Sequence, residues 1–224
     1  MKNINLTKNK VSENCNLLIN LQNIKRNWKY LRSYLKSTEL SVSIKADAYG
    51  LGYREICKNL KSFGCKSFFV ANDREALKLR KQYKKINIYV LNGANDYVTA
   101  ERLVKNNIYI VINNKKDLEI VKKLSFLKKN KINCAIQFDT GINRLGFSCS
   151  DIEYVKRNIK LFLNVKLIIS HLSNSENKFI TSNNKQLNKF NYIKKELSIC
   201  GNFKYSLSNS NGIMLGSAYH FDMV

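Results

Sequence analysis

The chain has 224 residues, is 44% hydrophobic, carries a net charge of +23 and contains no proline. Its length fits one sizeable domain, or one and part of another. No apolar run reaches the ~20 residues of a membrane span, and the first residues lack the apolar centre of a secretory signal, so a cytoplasmic protein is the simplest interpretation. The lysines are spread over almost every predicted helix, which favours solvated helix faces over a basic surface for nucleic acid.

Six cysteines and two histidines are present. They show neither CxxC nor Cys/His ligand spacing, which argues against a metal site and against a disulfide framework. Reduced, mostly buried thiols are the expectation.

Short apolar segments typical of buried strands recur along the chain, with helical patterns between them. The first candidate strand covers residues 16–20, and Ile24, Trp28 and Leu31 then recur at helical spacing. The remaining candidate strands cover residues 41–45, 67–72, 87–93, 108–113, 133–139, 164–170 and 204–209.

Helix ends are marked by capping residues. Ser150 and Glu153 predict a capping box before a helix over residues 151–159, and Asn72 with Glu75 predicts a looser one. Gly64 is placed to end the preceding helix.

This alternation of strands and helices predicts an α/β fold with a parallel sheet. An open doubly wound sheet and a barrel both fit, and seven strand–helix steps after residue 40 favour a (β/α)8 TIM-type barrel that is incomplete at its eighth strand. The expected organisation is an N-terminal segment with a leading strand over residues 1–20, then the barrel over residues 21–224.

Functional residues of such barrels follow the C-terminal ends of the strands. At the end of the first barrel strand, the two-residue period places Lys45 on the same face as Ser41 and Ser43. If that face points into the barrel, the amine is partly desolvated and can act as a nucleophile toward carbonyls. A lysine that extends from a strand end into solvent is the alternative.

Three later strand ends also carry polar residues. Ser210 and Gly212, in SNSNGIMLG, begin a turn that can present N–H groups to a phosphate, or that is an ordinary helix cap. Arg144, in FDTGINRLGF, can bind a carboxylate or form a surface ion pair. His171, in SHLSNSE, would pack against a cofactor ring or fill the core. A reactive lysine with a phosphate site suggests pyridoxal phosphate.

In this order, KADAYGLG, FDTGINRLGF, SHLSNSE and SLSNSNG resemble the motifs of the alanine racemase family, pyridoxal phosphate enzymes of fold type III. The resemblance runs from about residue 15 to residue 224. It implies an isomerase of D-alanine and peptidoglycan precursor synthesis that interconverts L-alanine and D-alanine through a pyridoxal phosphate aldimine. It also implies a homodimer when the protein is complete.

The resemblance assigns a role to each motif. Lys45 would form the Schiff base and then move the α-proton on one face of the substrate, while Tyr49 and Ser210 would hold the phosphate. Arg144 would bind the substrate carboxylate and the phenolic-oxygen side of the cofactor. His171 would pack beneath the pyridine ring.

The chain also departs from the family pattern. Gln137 stands where many members have a lysine that orients the arginine, although its amide could still hydrogen-bond Arg144, and Ser206 replaces a usual histidine. Asn209 is expected to make a neighbouring polar contact of less defined role. The family barrel continues through an eighth strand and a β-rich domain that supplies a second base, a tyrosine, to the partner subunit.

Because this chain stops at HFDMV, the β domain is expected to be absent, the barrel open beside its seventh strand, and the fragment inactive alone. A non-catalytic pyridoxal phosphate carrier is the main alternative function. A nucleic-acid-binding protein has no supporting motif in this sequence.

Overall fold

The computed structural model describes residues 17–224, and within them seven parallel strands form a single sheet in chain order. The strands are β1 (Val42–Ser43), β2 (Ser67–Val70), β3 (Asn87–Val90), β4 (Tyr109–Ile112), β5 (Ile132–Gln137), β6 (Leu163–Ile169) and β7 (Lys204–Ser206). The predicted α/β barrel architecture, incomplete at the eighth strand, is confirmed.

Helices connect successive strands. They are α1 (Leu21–Ser33), α2 (Lys45–Tyr49), α3 (Tyr53–Ser62), α4 (Asp73–Gln82), α5 (Tyr97–Lys105), α6 (Lys115–Lys128), α7 (Ile152–Phe162), α8 (Thr181–Leu197) and α9 (Ser210–Ile213). Short 3₁₀ turns cover Cys149–Asp151, Ser198–Cys200 and Ser217–Tyr219. No helix between residues 17 and 224 is long and apolar enough to cross a membrane.

The strands are shorter than predicted, mostly at their C-terminal ends, where the polar residues of the motifs leave the sheet. The strand expected over residues 16–20 is wrong for residues 17–20, which are irregular and end in Asn20, the side-chain cap of α1; residue 16 lies outside the described residues. The strand expected over residues 41–45 is reduced to Val42–Ser43, so Lys45 opens a turn instead of ending a strand.

Two of the three predicted helix-end signals are found. Asn72 accepts a hydrogen bond from the Glu75 N–H, and α3 ends before Gly64, which has a φ of +101°. The box at Ser150 is wrong, because Ser148 occupies the cap position and pairs with Asp151.

Strand side chains alternate between two apolar layers. Residues such as Phe68, Ile88 and Ile110 face the helices and join the large outer core. Their neighbours face the inside of the curled sheet, where they form a separate inner cluster. This inner cluster comprises Tyr89, Val111, Ala135, Leu167, Ile169 and Met223, with Phe69, Leu91 and Tyr109 packed against it.

Three aromatic rings stack along one wall of the interior. The ring centroids of Phe69 and Tyr89 are 4.8 Å apart, as are those of Tyr89 and Tyr109, with interplanar angles of 17° and 21°. The three residues face each other because they share a register on β2, β3 and β4.

Residues 222–224 link the two edges of the sheet. Met223 forms single bridges with both Glu39 and Ser206, and the Ser41 N–H donates to the Val224 carbonyl at 2.8 Å. The edge beside β7 is therefore partly covered by these last residues, which refines the open edge expected from the sequence.

Candidate active site

A cavity of about 570 Å³ opens at the C-terminal ends of the strands. It brings together eight of the polar residues singled out in the sequence. These residues are Lys45, Tyr49, Gln137, Arg144, His171, Ser206, Asn209 and Ser210. Parallel strands deliver their C-terminal ends to the same side of the sheet, so residues far apart in sequence meet there.

The charge of the cavity is one-sided. Lys45 and Arg144 line it, and no aspartate or glutamate is among its lining residues in the described part of the chain. The other polar groups are mainly hydroxyls, including those of Ser43, Ser170 and Ser208. Such a lining favours an anionic ligand, because two cations face it without a compensating acidic side chain.

The lysine turn, defined here as Lys45–Tyr49, has an unusual backbone. Four consecutive residues, Ala46 to Tyr49, have φ between 50° and 57°, which is the left-handed helical region. For non-glycine residues this conformation costs roughly 1–2 kcal/mol each, so the surrounding structure must stabilise it.

The side chains of Lys45 and Tyr49 lie on the cavity side of the lysine turn. The Lys45 ammonium lies 5.9 Å from the centroid of the Tyr49 ring, and the Tyr49 hydroxyl donates to Ser43 Oγ at 3.2 Å. Tyr49 is 63% exposed, so its hydroxyl is accessible from the cavity mouth.

The arginine loop, defined here as residues 138–147, closes on itself. Asp139 Oδ1 accepts hydrogen bonds from the N–H groups of Gly141, Ile142 and Asn143 at 2.8–3.1 Å. Phe138 and Phe147 form a parallel bridge across its base. Arg144 is exposed within this loop and forms no ion pair with the described residues, which removes the surface ion pair as its explanation.

Gln137 supports the arginine loop from beneath. It is buried, and its Nε2 donates to the Leu145 carbonyl at 3.2 Å. The sequence allowed a hydrogen bond from this amide to the Arg144 side chain; the observed contact is with the backbone of the next residue. Gln137 therefore fixes the path of the loop and leaves the guanidinium unengaged.

His171 lies near both cations. Burial lowers the pKa of its imidazole, and the positive charges of Arg144 and Lys45 lower it further. The ring is therefore neutral at pH 7. A neutral ring can pack against a flat ligand without adding a third positive charge to the cavity.

The serine turn at α9 is capped by its own asparagine. Asn209 Oδ1 accepts from the Gly212 N–H at 2.9 Å and from the Ser175 hydroxyl at 2.7 Å. Ser210 is exposed at the start of the turn and lines the cavity. Asn209 is therefore a helix cap, while Ser210 is exposed to the cavity and its role with a phosphate stays a prediction.

Sequence reasoning missed Gln186 of α8, which is 2% exposed. Its Nε2 donates to Thr140 Oγ1 at 3.1 Å and to the His171 carbonyl at 3.0 Å, while its Oε1 accepts from the Ser173 N–H and hydroxyl. One amide thus joins the arginine loop to the segment after β6. The signal for it was a pair of polar residues, Asn183 and Gln186, on the buried helix face that Phe190, Ile193 and Leu197 continue.

Comparison with protein families gives one match over this region. The model of the family described as alanine racemase, N-terminal domain, matches residues 19–224. The match includes all of the cavity residues named above.

Curated relatives and solved structures agree with this family. The alanine racemases of Rickettsia canadensis and Rickettsia africae are 42% and 41% identical to the chain over 94% and 93% of its length. An alanine racemase structure from Bartonella henselae, with covalently bound pyridoxal phosphate, is 35% identical, with a TM-score of 0.84 over 92% of this chain and 60% of that one. The Clostridium difficile 630 alanine racemase, 24% identical with a TM-score of 0.84, shares the fold. The chain spans 59% of the length of these two Rickettsia relatives.

Proposed function

This chain belongs to the alanine racemase family, and on that premise we propose that it forms the pyridoxal phosphate-binding barrel of an enzyme that interconverts L-alanine and D-alanine. One observation carries the proposal: a single cavity holds Lys45, Arg144, His171 and Ser210, with no aspartate or glutamate among its described lining residues. An amine and an arginine in a pocket without acidic side chains suit an anionic aldehyde and an amino acid substrate.

The residues present fit pyridoxal phosphate. Lys45 supplies an amine at the inner wall, and the hydroxyls of Tyr49 and Ser210 supply donors for a phosphate. The Tyr49 hydroxyl now donates to Ser43, a contact of 3.2 Å that a phosphate oxygen can replace. His171 is neutral and partly buried, as packing against an aromatic ring requires.

Lys45 is the proposed catalytic base. When bound, pyridoxal phosphate withdraws electrons from the substrate's α-carbon and so makes the α-proton acidic. The Lys45 amine would remove the α-proton on one face of the substrate or return it there. The proton is moved without any net oxidation or reduction.

Arg144 is proposed to bind the substrate carboxylate. Its guanidinium is unpaired among the described residues and can form two parallel hydrogen bonds with a carboxylate. The same side chain would contact the phenolic-oxygen side of the cofactor. Asn209 acts indirectly, because its cap holds the turn that presents Ser210.

The rest of the active protein is also a proposal. We propose that residues 21–224 form the cofactor-binding barrel and that a further β-rich domain, from a partner subunit of a homodimer, supplies the second base. The coverage of 59% of the Rickettsia canadensis relative supports this division. Alanine as substrate rests on the same family membership.

Borohydride labelling tests the cofactor site. The 224-residue chain is incubated with pyridoxal phosphate, reduced with borohydride and mapped by peptide mass spectrometry. We expect the label on Lys45, and its loss in Lys45→Arg but not in Lys78→Arg, a matched change of an exposed lysine. A label on another lysine, or none, would contradict the assignment.

Racemisation tests the reaction itself. The chain is joined after Val224 to the remaining part of the Rickettsia canadensis relative, and D-alanine formation from L-alanine is measured by chiral chromatography. Product should form and should be lost in Lys45→Arg. A soluble, cofactor-loaded chimera without D-alanine formation and without α-proton exchange would favour the non-catalytic carrier instead.

A further inference from the structure

We infer that Glu75 is a positioning residue for Lys45, which it controls through the backbone of the lysine turn. Its two carboxylate oxygens accept from two different segments. Oε1 accepts from the Ala46 N–H at 3.0 Å, and Oε2 accepts from the Ala71 N–H at 2.8 Å. Glu75 therefore connects the residue directly after Lys45 to the residue directly after β2.

The short pairing between β1 and β2 explains why a side chain must accept hydrogen bonds from these two N–H groups. β1 pairs with β2 at only two positions, and the last ladder contact runs from the Ile44 N–H to the Phe69 carbonyl. The chain then turns into the left-handed conformation, so the next N–H groups on both strands lose their strand partners. Glu75 replaces the missing ladder by accepting from both.

Glu75 is itself firmly placed. It is the third residue of α4, and its own N–H donates to the Asn72 side chain at 3.1 Å. Glutamate at this position often reaches back to the N–H of the cap residue. Here the carboxylate reaches one residue further, to Ala71, and across to Ala46.

The consequence for Lys45 follows from its neighbours. Ile44 before it is buried in the outer core, and the Ala46 N–H after it is held by Glu75. The direction of the lysine side chain is thus fixed on both sides. Without the carboxylate, the unfavourable left-handed residues are free to relax and the amine loses its fixed place in the cavity.

Glu75 accepts two hydrogen bonds, and two substitutions of it differ in how many of these bonds they remove. Glu75→Gln keeps one acceptor oxygen and leaves one N–H unpaired, whereas Glu75→Ala leaves both unpaired. Asp73→Asn is the matched control, because it removes one charge from the same helical turn and leaves the Glu75 contacts intact.

Hydrogen exchange tests the contact without cofactor. In the 224-residue chain, mass spectrometry of a peptide covering residues 44–50 should show exchange about tenfold faster in Glu75→Ala and on the order of threefold faster in Glu75→Gln. Asp73→Asn should exchange at the wild-type rate. Wild-type exchange in both Glu75 variants would overturn the inference. If Glu75→Ala fails to fold, Glu75→Gln alone decides between these results.

Cofactor labelling tests the effect on the amine. This step rests on the proposed function, so wild-type labelling at Lys45 is measured first; its failure would count against that function and leave the exchange result standing. At a pyridoxal phosphate concentration that half-labels the wild type, Glu75→Gln should label several-fold less while its melting temperature matches that of Asp73→Asn. Equal labelling of Lys45 in wild type and Glu75→Gln would overturn the positioning role.

Discussion

The lysine turn and the arginine loop both follow strands and both bring a basic side chain to the cavity, but their shapes have different origins. In the arginine loop, positive φ falls on Gly141, Asn143 and Gly146, residues that tolerate it. In the lysine turn it falls on Ala46, Asp47, Ala48 and Tyr49, of which the alanines and the tyrosine adopt it reluctantly. The arginine loop thus carries residues that favour its shape, whereas the lysine turn mostly lacks them and relies in addition on the Glu75 contact from elsewhere in the fold.

The largest loss of stability is expected at Gly146 in the arginine loop. A Cβ at Gly146 would lie 2.6 Å from the Asp139 N atom and 2.7 Å from the Phe138 carbonyl carbon, at a φ of +119°. Gly146→Ala should therefore lower the free energy of unfolding by about 3 kcal/mol, measured by urea denaturation. Gly216→Ala has nearly the same φ, +116°, but open space around it, and should cost only about 1 kcal/mol. Equal losses would show that the close approach at Gly146 is unimportant.

A slightly smaller loss of stability is expected at Gln186, whose amide joins the arginine loop to the segment after β6. Gln186→Ala leaves the Ser173 N–H without its acceptor in a buried site and should cost about 2 kcal/mol. Gln82→Ala, on an exposed position of α4, should change stability by less than about 0.5 kcal/mol. The comparison also predicts that Gln186→Ala loosens the arginine loop in hydrogen exchange and leaves residues 44–50 unchanged. Loosening of both segments would mean that they are not held independently.

A glycine introduced into the lysine turn should raise the stability of the chain, whereas the two changes above lower it. Ala46→Gly relieves left-handed strain and should stabilise the chain by up to about 1 kcal/mol, reduced by the larger entropy of the unfolded glycine. Thermal denaturation measures the change. A loss of stability would show that the turn is not strained at this residue.

The smallest expected effect is a pH dependence of stability caused by His171, which lies near Arg144 and Lys45. Because the pKa of His171 is lowered in the folded state from an ordinary 6.5, the unfolded chain binds the proton first. Stability should therefore fall as the pH drops below about 6.5, and should level off below the folded pKa. His171→Phe should remove this dependence from pH-dependent denaturation curves.

The pKa of His171 can also be used to compare the electrostatic effects of Arg144 and Lys45. Arg144 lowers its pKa more than Lys45 does. Arg144→Met should thus raise the pKa of His171 more than Lys45→Met, as measured by NMR titration of the ring protons. The reverse order would place the lysine amine nearer to the ring than the structure has it.

The sequence predicted the parts of the molecule that local residues specify better than the parts that depend on distant contacts. The strand order and the position of Arg144 were predictable because apolar periodicity and local glycines specify them. The left-handed lysine turn was not, since Ala46 and Ala48 carry no local signal for positive φ. Its shape depends on Glu75, 29 residues from Ala46, and such a contact exists only once the sheet is formed.

Contacts between distant segments explain the other differences. Gln186 meets Thr140 across 46 residues, which no local pattern indicates. The capping box lies at Ser148, which begins the 3₁₀ turn before α7, because Asp151 pairs with both the N–H and the hydroxyl of Ser148. Lys115 from another helix also binds Asp151. The short segment before α1 lacks a strand partner among the described residues, so its apolar composition alone did not make it a strand.

The stacked rings of Phe69, Tyr89 and Tyr109 give the barrel interior an optical signature. Aromatic chromophores held 4.8 Å apart in nearly parallel planes couple their electronic transitions, and a chiral arrangement of them produces near-ultraviolet circular dichroism. Because these rings lie on three adjacent strands, their contribution to that signal depends on the register of β2, β3 and β4. The inner wall beside the cavity can thus be followed spectroscopically while a ligand binds or the sheet unfolds.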